Sequence, residues 1–169
     1  MGTDLKALGN IFAMRILLAA LLLAAANACG AASLGDLRRA VTDDQLLKNA
    51  GVEPSAALRR FVCDYALYTE GDPPEFESAI CVQTAQSFYI FTLESDFLMQ
   101  ETQLNVRLID GVGLRKYGRN RQVHLFDRGV IYVVYVPGTF LVDVKGTEAM
   151  YQALIDGGAT PHAPAAFVQ

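Results

Sequence analysis

Tryptophan is absent from the 169 residues, histidine occurs twice and cysteine three times. Such scarcity cannot supply the repeated ligand spacing of a zinc module, and without a C-x-x-C pair no dithiol redox motif is present, so neither a metal nor a cofactor is expected. Glycine and proline, at 14 and 6, are too few for a collagen-like or linker-dominated chain. Bases are outnumbered, 14 Lys and Arg against 18 Asp and Glu, which argues against a nucleic-acid partner. No G-x-S-x-G elbow, H-E-x-x-H helix or phosphate-binding loop occurs; Gly111-Val-Gly113 is a lone G-x-G inside a predicted hairpin. What is abundant is apolar: 52% of the residues are hydrophobic and only 19% charged. A chain of this size suits one domain and can bury roughly two-thirds of its unfolded surface.

The apolar residues are not evenly spread. Ile16–Ala26 is an unbroken run of 11, about 16 Å as a helix, where a bilayer core needs roughly 20 residues. The run matches the h-region of a secretory signal peptide, with Lys6 and Arg15 before it and small residues after it. Met14 offers an alternative start beside that charge. Export to the periplasm or the cell exterior is the expectation, with residues 1–28 as signal peptide and 29–33 as a short linker. Residues 34–159 then form a single α+β domain, and 160–169 a flexible tail. Ala26-Asn27-Ala28 is an A-x-A cleavage site that would leave Cys29 first. Ala26-Asn27-Ala28-Cys29 also resembles a bacterial lipobox, departing from it at Ala26, where Leu is usual, and at Asn27. That resemblance implies lipidation of Cys29 and a membrane anchor, the only membrane contact expected. A third reading cuts after Ala32 and discards Cys29.

If Cys29 is lipidated or removed, Cys63 and Cys81 remain as a natural disulfide pair. The segment between them contains Gly71, Pro73 and Pro74, which can bring its ends together.

The mature chain reads as helices first and strands afterwards. Leu37, Ala40 and Val41 have helical spacing. Thr42 with Gln45 forms a capping box, Leu46, Leu47 and Ala50 an apolar face, and Gly51 a left-handed stop. From Pro54 to Gly71, Leu58, Phe61, Val62, Tyr65, Ala66 and Thr69 fit one helix face. Phe61, Cys63, Tyr65 and Leu67 alternate as a strand would, so both readings stand there. Ile80–Thr84, Phe88–Leu93, Leu104–Leu108 and Val123–Phe126 read as strands. Val130–Val136 reads as a central strand covered on both faces, and Phe140–Val144 as a further one. Asp110-Gly111 is the strongest hairpin signal, with turns also at Gly118-Arg119-Asn120 and Arg128-Gly129. A last helix opens at Thr147 and Glu148 and closes at Gly157-Gly158. The expected fold is N-terminal helices on an antiparallel sheet of about five or six strands, with a C-terminal helix.

Lys145-Gly146-Thr147-Glu148-Ala149 is similar to the K-G-x-x-A segment of periplasmic lipoprotein inhibitors of C-type lysozyme. Those are β-barrels with a late cysteine, whereas no cysteine follows Cys81 here, and three matched residues assign no family.

Charge is segregated along the chain. Residues 64–101 carry eight acids and no base, while 107–128 carry six bases against two acids. Arg115, Lys116, Arg119 and Arg121 surround one predicted turn with Tyr117 among them, a pattern suited to an anionic envelope component or an acidic protein. The same residues could instead form a solvated tip or fold back on the acidic segment. His124 is the one candidate acid/base group, with Asp110 or Asp127 as its carboxylate; His162 lies in the tail. Three function classes follow. The first is an exported, non-catalytic binding module using Arg115, Lys116, Tyr117, Arg119 and Arg121. The second is a small secreted hydrolase using His124. The third is an accessory subunit of an envelope assembly.

Overall fold

In the computed structural model, which describes residues 42–68, 74–94 and 98–166, the Thr42 half of the expected capping box forms. The Thr42 side chain accepts from the Gln45 amide at 3.3 Å and opens α1 (Asp43–Asn49). Asp43 and Asp44 favour the positive end of the helix dipole in its first turn, and Gly51 at φ +74 ends it. The helix expected over Leu34–Ala40 lies outside the described residues.

Pro54 starts only a 3-10 turn (Pro54–Ala56), and the segment beyond it is a strand, β1 (Arg59–Tyr68). Both periodicities fit this stretch, and pairing decides between them. β1 bonds β2 (Glu77–Gln83) through its first half and β7 (Val130–Tyr135) through its second. Cys63 and Cys81 face the same interior and form the expected disulfide, with Cα atoms 6.0 Å apart. The strand reading thus holds for this stretch; it and Gly111–Tyr117 add to the expected strands while Phe140–Val144 drops out, so the count of five or six becomes seven. With β3 (Ser87–Glu94), β4 (Leu98–Asn105), β5 (Gly111–Tyr117) and β6 (Asn120–Asp127), the sheet has seven strands, all paired antiparallel.

Their order is β4-β3-β2-β1-β7-β6-β5, so β4 and β5 are the outermost strands although consecutive in sequence. Six inter-strand steps in a flat sheet would separate them by roughly 29 Å. The link from Asn105 to Gly111 could stretch at most about 21 Å. It is shorter still, because it is coiled by an Ile109 amide to Asn105 carbonyl bond of 3.1 Å. The sheet must therefore curl strongly. Consistent with this, the Tyr65 side chain on β1 reaches that of Thr102 on β4, three strands away. Asp110-Gly111, expected as a hairpin, is the end of this link. The Asp110 carboxylate accepts from the Arg128 amide at 2.7 Å and braces the β6–β7 turn.

The concave face holds α2 (Val144–Asp156). Met150 and Leu154 are buried with Cys63, Cys81, Ile90 and Leu125, burial worth roughly 1.5–3 kcal/mol for each large side chain. Gln83 crosses this core to donate to the Ala153 carbonyl at 2.6 Å. The helix begins earlier than expected because Asp143, whose carboxylate accepts from the Gly146 amide at 3.0 Å, is its cap. It ends where Gly157-Gly158 predicts: Gly158 donates to Ile155 and Ala159 to Leu154, a Schellman pair that buries Ala159. On the convex face Leu46 and Leu47 of α1 cover Ile80, Val82, Tyr89 and Phe91 of β2 and β3.

Candidate functional site

The β5–β6 hairpin carries the basic cluster. Tyr117 pairs with Asn120 across the two-residue turn Gly118-Arg119, so sequence spacing sets which bases reach the tip. Lys116 and Arg119 are exposed, and Tyr117 is 44% exposed. Arg115 is half-buried, with its guanidinium carbon 5.5 Å from the centre of the Tyr117 ring, within cation–π range. Arg121 points elsewhere: its Nε donates to the Glu148 carboxylate of α2 at 3.0 Å, and its Nη1 to the Asn120 carbonyl at 2.8 Å. Of the five expected binding residues, the structure gathers Arg115, Lys116, Tyr117 and Arg119 at the tip and uses Arg121 to tie the hairpin to the helix.

His124 sits in the middle of β6, on the face opposite Val123 and Leu125, and its exposure is 0%. Its partners come from the segment expected to be a loose tail. Val112 donates to the Thr160 carbonyl at 2.8 Å and accepts from the His162 amide at 2.7 Å, which makes a short parallel bridge along the β5 edge. Beyond it, the Ala165 amide donates to His124 Nδ1 at 3.1 Å, and the His162 ring lies 4.4 Å from that of Phe126. The lone G-x-G explains how the segment fits. A Cβ on Gly111 would meet the His162 Cβ at 2.7 Å, and one on Gly113 would meet the His162 carbonyl and Pro164 at 2.9 Å. The glycines make room for a backbone, not a phosphate.

This setting bears on His124 as an acid/base group. Burial, helped by the Arg115 charge, pushes its pKa down to about 4, so the ring is neutral near pH 7. The Ala165 bond assigns the acceptor role to Nδ1 and therefore the proton to Nε2. The two carboxylates expected to serve it are engaged at Arg128, Asp110 with the amide and Asp127 with the guanidinium at 3.8 Å. His124 is thus arranged to hold the C-terminal segment in place.

Three of the clefts on the described surface bear on the site. One of about 390 Å³ lies between Leu58, Gln83 and the end of α2; another of about 540 Å³ runs past Val52, Thr84, Tyr89 and Gln103. The third, about 360 Å³, joins Asn120 of the basic hairpin to Asp64, Tyr135 and the segment 137–142. Asp64 there accepts from Ser78 at 3.3 Å and from the Tyr135 hydroxyl, and burial with this contact pushes the Tyr135 pKa up to about 12. None of the three is lined by His124.

The segment after Pro137, expected as a strand, is a tight loop instead. Pro137 bridges Val142, and Phe140 and Leu141 at its tip are 94% and 65% exposed. Sequence reasoning missed this pair because apolar residues following Pro-Gly imitate a strand. It also missed the C-terminal clasp, whose available signal was two glycines placed opposite His124 and Phe126. No protein-family model matches the chain, and no curated protein matches it.

Proposed function

We propose that this chain is an exported, non-catalytic binding module that takes an anionic envelope component through the tip of the β5–β6 hairpin. The observation that carries this reading is the stacking of Arg115 over Tyr117 on a hairpin whose tip also exposes Lys116 and Arg119. Stacking orders the ring, so the same hairpin tip holds an aromatic face and two solvated cations. That pairing suits a headgroup or a sugar bearing phosphate or carboxylate better than a bare ion. Export accords with the leader-like residues 1–28 and with the Cys63–Cys81 disulfide, which persists in an oxidising compartment. Lipidation of Cys29 would hold the module at a membrane. The buried, clasped His124 makes the hydrolase reading the weaker one.

A binding panel of phosphatidylglycerol vesicles, a carboxylated polysaccharide and polyglutamate tests the proposal. Binding to at least one of them is expected at low salt. It should weaken as ionic strength rises and the screening length falls to about 8 Å. The Lys116→Ala/Arg119→Ala variant should lose that binding with each exposed substitution costing under about 0.5 kcal/mol of stability. Full binding by this variant, or no binding to any member of the panel by the native protein, overturns the reading.

A further inference from the structure

The loop 137–142 stands beside the basic hairpin and carries an adjacent pair of exposed apolar side chains at its tip. Phe140 is left 94% exposed and Leu141 65% exposed; Leu108 and Leu58 are exposed too, but among the described residues only here do two large apolar side chains stand side by side. This exposure is built in. Gly138 donates to the Leu141 carbonyl at 2.7 Å, Asp143 donates to the Val136 carbonyl at 2.8 Å, and Pro137 bridges Val142. A Cβ on Gly138 would lie 2.7 Å from the Leu141 carbonyl, so only glycine allows the turn to close this tightly. A closed turn therefore presents two apolar side chains outward on a rigid base.

Around the loop three exposed bases stand against two carboxylates, Asp64 and Asp143, which keep their charge but are held by hydrogen bonds. Asp143 is occupied as the cap of α2, Asp64 receives the Ser78 and Tyr135 hydroxyls, and Glu148 pairs with Arg121. Lys116 and Arg119 on the hairpin and Lys145 in the first turn of α2 are exposed. The cleft shared by Asn120 and residues 137–142 makes hairpin tip and loop contiguous. A convex pair of apolar side chains is too small for a standard protein interface, which buries about 800 Å² per partner. It does suit a bilayer, whose headgroup–acyl boundary takes apolar wedges while anionic lipids attract flanking Lys and Arg.

We propose that this end of the domain docks on an anionic lipid bilayer, with Phe140 and Leu141 entering the headgroup–acyl boundary and Lys116 and Arg119 lying over the headgroups. The inference rests on the hairpin-binding reading above and names its partner. The contact is separate from any lipid on Cys29.

Because the chain has no tryptophan, Phe140→Trp places a unique reporter at the loop tip. On adding phosphatidylglycerol vesicles to the full chain, its emission should shift to the blue and be quenched by lipids brominated on the acyl chain. Phosphatidylcholine vesicles should give neither effect, and Lys116→Ala/Arg119→Ala should abolish both. Phe140→Ser, compared with the native chain by vesicle titration, should weaken binding about tenfold or more. If the Phe140→Trp protein sediments with vesicles while its indole stays in water, the loop does not insert and this inference fails. The hairpin reading then survives, provided that the double variant no longer sediments. A blue shift that grows with protein concentration in the absence of lipid assigns the tip to a second copy of the chain and overturns the bilayer as partner. Loss of every anionic interaction in the panel described above removes both readings together.

Discussion

Acid should weaken this fold through one buried ring. His124 has a pKa of about 4 in the folded chain against 6.5 for the ordinary side chain. Between these values the unfolded chain carries a proton that the folded chain lacks, so stability is fully present above pH 6.5 and is lost as pH falls towards 4. With those two values the linkage relation gives a loss of about 2 kcal/mol between pH 8 and pH 5, and about 3 kcal/mol by pH 4. His124→Gln keeps an acceptor for the Ala165 amide but does not titrate. Carboxylates titrate in both proteins, so the difference between their urea-unfolding free energies at pH 8 and pH 5 isolates the ring. The native melting temperature should fall by about 4–8 °C more than that of the variant over this interval. The clasp offers a local route to the same relief, because protonated Nδ1 cannot accept from Ala165. Amide exchange at His162 and Ala165 should accordingly be faster at pH 5 in the native protein than in His124→Gln at the same pH. Equal pH dependence of stability in the two proteins would refute the reasoning.

Other consequences are equally concrete. Gly113→Ala should displace the C-terminal segment, because its Cβ would come within 2.9 Å of the His162 carbonyl and Pro164. A cost of about 1–3 kcal/mol and faster proteolysis after Ala159 are the expected results, read by denaturant melts and limited digestion. Replacing Cys63 and Cys81 with Ala removes a cross-link that closes an 18-residue separation, worth about 3 kcal/mol in the chain-entropy account; calorimetry under non-reducing conditions measures it. Arg128→Asn should stabilise by a few tenths to about 1 kcal/mol. Arg128 holds φ +51 in the β6–β7 turn, and Asn tolerates that region better while retaining the amide that Asp110 accepts.

Legibility in the sequence follows the range of the forces involved. The α1 cap at Thr42 and the stop at Gly157-Gly158 are readable because each is made within a few residues. So are β2, β3 and β6, whose alternation or β-branched content matches one period. β1 is ambiguous locally, since Phe61, Val62 and Tyr65 satisfy either period, and only its two neighbours in the sheet choose the strand. Asp110-Gly111 misleads because its short-range signal is overridden by the sheet curling back on itself. In the candidate site, the positions of Lys116, Tyr117 and Arg119 follow from a turn visible in the sequence. The diversion of Arg121 to Glu148 does not, because it needs the placement of α2. Pro161 and Pro164 read as breakers of structure; that they lie in a track left open by Gly111 and Gly113 depends on packing between distant segments.

The order of strands in the sheet also constrains the order of events in folding. β2, β3 and β4 each find a partner in the strand just before them, and the Cys63–Cys81 bridge needs only the first hairpin. The other edge of β1 has no such neighbour: its residues from Asp64 to Tyr68 must wait for Tyr135 to Ile131 of β7. Pairing at that separation is entropically slow, so the late step in assembly should be the docking of the β5–β7 meander onto β1. Until then β1 offers a bare edge, the kind of surface through which partly made β proteins join one another. A chain emerging from its N-terminus would carry that edge until Val130 and the residues after it had arrived, and a premature stop before them would leave it open for good.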